Sequence, residues 1–404
     1  MKIYLSKAIL KNTLNEISIN CNSWLMQWNV VASSYVLLRK KKMRSFKGLI
    51  QSSIGFFIKP DLSQNKEIYI FEGLKNKDYM VLFKPNSVII VGSHKEKEFA
   101  INHGYGFCWS FPILGAIHAK MTRDWNTPGI RQLNLWVNEL HNYDRVVFFL
   151  QEDTQPLGTF FVFLGRLLPL IVKTVCIQHG FFLNYYYQIR NDGELSEINF
   201  VWKLSQSKII RCNHSRTFEI GLPYTAIAKP FDQLCVILLG TGMMGSGTSI
   251  YERSIKTYLK ISNAITKSPG IKIFYRPHPN EYADYGLMDY LSHLFPLVEN
   301  KDKLAQLRGQ QSIFVGVESS MLYEAGVAGH FVCHLKLDGS QPDFDVDLDF
   351  HEDEIANLLF WIQSVANGKV KKIINRSLEA SPLKRFELAL YGSGILETHN
   401  KNLY

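Results

Sequence analysis

The chain has 404 residues, 46% of them hydrophobic and 20% charged, with a formal net charge of +9. That length exceeds one ordinary core and predicts two domains or three, and the composition describes a soluble globular protein rather than a disordered one. The basic balance points to an anionic partner: a nucleotide, a phospholipid surface or a nucleic acid.

Residues 1–20 alternate charged and apolar side chains and lack the apolar core of a signal peptide. The run Arg39-Lys40-Lys41-Lys42-Met43-Arg44-Ser45-Phe46-Lys47 reads as a solvated helix face or as peripheral attachment to anionic lipid, where each clustered cation contributes about 1 kcal/mol. Trp24, Trp28, Phe46, Phe56 and Phe57 follow no nucleic-acid-binding spacing, so no nucleic-acid partner is expected. Residues 156–172 form the longest apolar stretch, but Arg166, Gly158 and Gly165 interrupt it. It falls short of the ~20 clean residues of a spanning helix and predicts a buried one. The six cysteines are scattered with no C-x-x-C pair, which argues against disulfides and structural zinc and favours a reducing cytoplasm.

From residue 87 the chain alternates strand-like and helix-like segments. Strands are predicted at 87–91, 145–150, 172–177, 208–211, 234–239, 271–275 and 312–315, and helices at 128–140, 248–267 and 318–328. This alternation implies parallel sheets covered on both faces. Pro223 and Pro230, with Gly221, mark a linker. The expected division is an N-terminal domain at 1–228, a C-terminal domain at 229–385 and a tail at 386–404, with a ligand cleft between the two domains.

Four segments could carry chemistry. Gln178-His179-Gly180 and Arg276-Pro277-His278-Pro279 each deliver an imidazole to the end of a predicted strand, where ligands bind in open α/β sheets. Gly240-Thr241-Gly242 follows another strand and precedes a helix, so its amides can approach an anion. It lacks the Lys-Ser/Thr of a Walker P-loop. Ser319 and Ser320 stand at a predicted helix start, suited to capping and to phosphate. His179 can act as general base, with Glu152 and Asp153 as rivals and His103 a weaker one. The alternating acidic run 343–350 is expected to be a solvated edge strand, not a cation site.

A strand ending in His278-Pro279, followed by the Ser319-Ser320 pair, resembles bacterial sialyltransferases and related CMP-sugar transferases. That resemblance implies an α/β fold of GT-B type, two Rossmann-like domains facing each other across a cleft. It implies that His278, Ser319 and Ser320 contact the CMP phosphate, that Glu299 holds the ribose, and that Arg276 and Pro277 lie near the cytosine. Those enzymes carry an acidic motif as general base where this chain has Gln178-His179-Gly180. A histidine in that place resembles teichoic-acid glycerophosphotransferases, which use CDP-glycerol. The implied activity is inverting transfer of an acidic sugar (sialic, pseudaminic or legionaminic acid, or Kdo) from CMP to a glycan in capsule or lipopolysaccharide assembly. No cofactor or metal is implied. The place would be the cytoplasm, or the inner face of the cytoplasmic membrane.

Overall fold

The structure, a computed structural model, describes residues 60, 62, 65–113, 126–153, 156–178, 195–208, 216–241, 248–282, 284–298, 302–317, 319–337, 345–372 and 380–396. They divide into two units, and each is built on one parallel sheet.

The first unit contains β1 (Glu67–Glu72), β2 (Ser87–Val91), β3 (Gly106–Trp109), β4 (Arg145–Leu150), β5 (Val172–Ile177), β6 (Ile198–Val201) and β7 (Arg216–Glu219). β2, β4 and β5 match the predicted strands residue for residue. Their residues, mostly Val, Ile and Phe in β2 and β4 and with Lys173, Thr174 and Cys176 in β5, are buried almost throughout, as strands covered on both faces must be. β1 was not anticipated, although Ile68, Tyr69, Ile70 and Phe71 are all buried. The predicted strand at 208–211 is corrected in part. Lys208 closes a short 3₁₀ turn (Leu204–Lys208), 209–211 lie outside the described residues, and the strand in this part of the chain is β7.

The sheet order is β3-β2-β1-β4-β5-β6-β7, every neighbour parallel. The winding reverses between β1 and β4, the doubly wound pattern of Rossmann-like folds. The apolar stretch forms the helix Pro156–Leu167, whose Phe161 and Leu164 are fully buried beside Trp136 and Phe148. Gly158 is required there, because a Cβ would lie 2.3 Å from the Glu152 carbonyl oxygen. Among the described residues, no helix is long and apolar enough to cross a membrane.

The chain passes to the second unit at Tyr224 and returns to the first at Pro382. The returning helix, Pro382–Ser393, spans the expected boundary at 385/386. Its Phe386 is fully buried, stacked on Tyr79 at 3.9 Å and edge-on to Phe200 at 5.3 Å. Arg385 donates to the carbonyls of Ile220 at 2.8 Å and Leu222 at 3.0 Å.

The second unit contains β8 (Cys235–Leu239), β9 (Lys272–Arg276), β10 (Ile313–Gly316), β11 (Phe331–Lys336) and β12 (Leu348–His351), in the order β12-β11-β10-β8-β9. All pairs are again parallel, and the reversal lies between β8 and β10. The helix Thr248–Ile265 buries Ile255, Tyr258, Ile261 and Ile265 against this sheet, the stripe expected of period 3.6. β12 lies at the sheet edge, and positions 343–344 of the acidic run lie outside the described residues, but Asp347 just before β12 and Asp349 within it are not simply solvated. Asp347 accepts from the Val332 amide at 2.7 Å and pairs with Lys372 at 2.6 Å. Asp349 bonds His334 at 2.9 Å and pairs with Lys336. The period-two carboxylates fall between cations of neighbouring segments, which the local pattern does not reveal. Cys108, Cys176, Cys235 and Cys333 are free thiols.

Candidate functional site

In the second unit the register brings three loops to one sheet edge. Leu239 of β8 pairs with Arg276 of β9, and Leu238 pairs with Val315 of β10. The segments Gly240-Thr241 and Pro277-His278, with Val317 and Ser319-Ser320, therefore emerge side by side at the point where the winding reverses. Ligands in open α/β sheets bind at such a reversal, outside the carboxyl ends of the strands.

Gly240 sits at the centre. Its amide donates to the Arg276 carbonyl at 2.9 Å. A Cβ added to Gly240 would lie 2.2 Å from a Glu281 carboxylate oxygen, 2.7 Å from the His278 amide and 2.9 Å from the Tyr275 hydroxyl. Only glycine lets these loops meet. Thr241 is buried, and its hydroxyl has no partner among the described residues. Gly242 and Glu299 lie outside the described residues.

His278 caps a single helical turn, Pro279–Tyr282. Its imidazole is half-buried, and burial first, then the neighbouring Arg276 charge, hold its pKa below the ordinary histidine value. The ring is therefore neutral near pH 7, with one N–H to donate. Arg276 is half-buried too, and its Nε donates to Gln306 at 2.8 Å. Burial lowers its pKa from the usual arginine value. Ser319 caps the helix Ser320–Ala328, its hydroxyl accepting from the Met321 amide at 3.3 Å. A guanidinium, a neutral imidazole, a helix N-terminus and glycine backbone on one edge suit a phosphate.

Glu281 was not anticipated. It is fully buried, accepting from the Tyr275 hydroxyl at 2.9 Å and from the His278 amide at 2.6 Å. Desolvation raises its pKa to about 7. Proline at the first helical position and glutamate at the third are a recognisable helix-start signal, with the carboxylate reaching back to the cap amide.

In the first unit, the winding reversal lies beside Glu72 at the end of β1 and Gln151 after β4, whose amide donates to the Glu72 carboxylate at 2.9 Å. His179 lies outside the described residues, but the residue before it is tightly fixed. The Gln178 side chain is buried, accepts from the Trp202 amide at 2.6 Å and donates to Gln206 at 3.0 Å. Asp153 is buried and accepts from the Leu195 and Ser196 amides at 3.0 and 2.7 Å, a loop clamp. Glu152 pairs with Lys75 at 3.1 Å. His103 ends the helix His94–Asn102 and bonds the Phe99 carbonyl at 2.8 Å. Because β3 starts just after it, His103 stands at the opposite sheet edge from Gln178. A cavity of about 400 Å³ also opens where strands of the first sheet begin, lined by Glu67, Arg145, Lys173, Arg216 and Gly394 among others. None of the expected site residues borders it.

No protein-family model matches the chain, and no curated protein matches it in sequence. Solved structures do share its fold. A candidate UDP-N-acetylglucosamine 2-epimerase from Listeria monocytogenes aligns with TM-score 0.50 at 10% identity, over 83% of this chain and 98% of that one. S. aureus MnaA, solved with UDP, aligns with TM-score 0.50 at 11% identity, over 84% and 100%. The wall teichoic acid polymerase TagF aligns at 9% identity over 91% and 92%, with a TM-score of 0.43, too distant to carry an argument. The likeness is one of fold: α/β of GT-B type, with two Rossmann-like units.

Proposed function

We propose that the chain is an inverting glycosyltransferase moving an acidic sugar, such as sialic, pseudaminic or legionaminic acid or Kdo, from a CMP donor to a glycan acceptor. The setting would be bacterial capsule or lipopolysaccharide assembly. The supporting observation is the convergence of Gly240-Thr241, Arg276-Pro277-His278 and Ser319-Ser320 on the reversal edge of the second sheet.

In this reading the CMP phosphate lies against His278, the amides and hydroxyls of Ser319 and Ser320, and the Gly240 loop, with Arg276 and Pro277 near the base and Glu299 on the ribose. His179 takes the proton from an acceptor hydroxyl. The freed oxygen attacks the anomeric carbon from the side opposite the phosphate. The bond from that carbon to the phosphate oxygen breaks, its electron pair staying with departing CMP, so the anomeric centre inverts. In this reading these donors meet the growing charge on the phosphate, each typically contributing a few kcal/mol to barrier lowering. The reading gives a divalent metal no role.

A second reading, a CDP-glycerol or CDP-ribitol phosphotransferase, is favoured by one feature: Gln178-His179-Gly180 stands where the sialyltransferases carry carboxylates. The discriminating experiment is a thermal-shift screen of CMP, CDP, UDP and GDP, followed by CMP-release assays with CMP-sugars and CDP-alcohols. Ligand at 100 times Kd stabilises by about 2.7 kcal/mol. CMP alone should raise the Tm by several degrees, and H278A or S319A/S320A should abolish the shift. CMP release from a CDP-alcohol only would establish the second reading. A shift by UDP alone would refute both. A non-catalytic nucleotide-binding role in capsule assembly would leave cellular function intact in H179A.

A further inference from the structure

The buried carboxyl of Glu281 does more than a helix-start glutamate needs to do. Such a residue normally satisfies one cap amide at a solvent-exposed turn. Here it is fully buried and serves two partners, the His278 amide and the Tyr275 hydroxyl. The Gly240 backbone is packed directly on it. The carboxyl thus lies beneath two of the three loops at the candidate phosphate edge. Its surroundings are phenolic: Tyr275 from β9, Tyr251 and Tyr258 from the helix Thr248–Ile265, and Tyr282 one residue on. The Tyr251 hydroxyl approaches the same carboxyl without forming a regular hydrogen bond. The Arg276 guanidinium of the same turn donates to Gln306.

We propose that Glu281 is a positioning residue for His278, and that loading the adjoining edge with an anion requires this carboxyl to hold a proton. The inference rests on the reading of that edge as a nucleotide phosphate site and adds to it a linkage between binding and pH.

The physical argument has two parts. An ionised Glu281 accepts from both partners at once. A protonated one keeps the bond from the His278 amide on Oε2 but turns its own hydrogen toward the Tyr275 oxygen, so that hydroxyl reverses its direction. The His278 loop keeps its position in both states. Only the charge beneath it changes. A phosphate above Gly240 and His278 would meet an uncompensated negative charge in a site of low dielectric unless the proton is present. Burial already brings this carboxyl to about pH 7, so the proton is available where the protein works. Anion binding must then take up a proton, and affinity must fall as pH rises above neutrality.

The test is calorimetric CMP affinity from pH 6.5 to 8.5 in the full chain, with E281Q, Y275F and H278A, alongside an NMR titration of the His278 ring. E281Q keeps the carbonyl acceptor and cannot ionise. The pH dependence of CMP itself is common to every variant and cancels in the comparison. Wild-type affinity should fall relative to E281Q by about 25-fold across this range, as one linked proton on a group of pKa about 7 demands. Y275F, which deletes a bond to the carboxylate, should move the fall to higher pH. In the ligand-free protein, the His278 resonances should show an inflection near pH 7 that E281Q lacks. Identical wild-type and E281Q affinity profiles, with CMP bound and H278A unable to bind it, would overturn the linkage and leave the nucleotide site standing. An inflection without CMP binding by any variant would instead overturn the choice of nucleotide while retaining the positioning role.

Discussion

Glu281 and His278 show how a short turn acquires properties that its letters do not display. The Arg276-Pro277-His278-Pro279 step is legible in the sequence because proline fixes backbone geometry wherever it stands. The role of Glu281 is not, since its burial depends on Gly240 just after β8 and on Tyr275 of β9. Burial lifts its pKa from 4.5 to about 7, so ionising it in the folded protein costs about 3 kcal/mol. The cost is absent below the unfolded value near 4.5, where the acid is protonated in both states. It is complete above 7, so this residue makes the fold less stable as pH rises through that window. Chemical denaturation at pH 4.5, 6 and 8 should show wild type losing about 3 kcal/mol relative to E281Q. Parallel profiles for the two proteins would refute the burial argument. Asp153 carries the opposite lesson. A carboxylate after a strand looks like a base in the sequence, but in the structure it accepts two backbone amides.

The elements that were read correctly share a property: their pattern is self-contained. β2 and β4 are apolar runs of Val, Ile, Phe and Leu behind one polar residue, β5 is rich in β-branched residues, and the helix Thr248–Ile265 has its own apolar stripe. The four-residue strands β3, β6 and β7 carry less local pattern, and each pairs in parallel with its neighbour. The helix Pro382–Ser393 completes the core of the first unit. Its Phe386 closes a buried aromatic group with Tyr79, Phe149 and Phe200. F386A should cost about 3–5 kcal/mol of stability, the usual range for a buried phenylalanine. Urea unfolding of the full chain would measure it, and a loss below about 1 kcal/mol would mean that the helix is not integral to that core.

At the scale of the whole molecule, charge is unevenly distributed along the chain. Residues 1–59 contain ten Lys or Arg and one Asp or Glu, so the net charge of +9 resides there and the rest is balanced. If this segment attaches the protein to anionic lipid, cosedimentation with vesicles of 30% phosphatidylserine should be strong at low salt. It should weaken steeply as the ionic strength shortens the Debye length from about 30 Å to 8 Å. Deleting residues 1–59 should abolish it, whereas salt-independent binding or binding by the deleted form would refute the electrostatic account. The amino-acid sequence by itself determined the α/β class, several strands and the Arg276-Pro277-His278 turn, because periodicity and proline geometry are local. Only the tertiary structure decided the strand orders with their reversal points, the return of the last helix and the burial of Glu281. Each of these depends on which distant segments pack together, and that is fixed by the joint burial of apolar surface, not by any one segment.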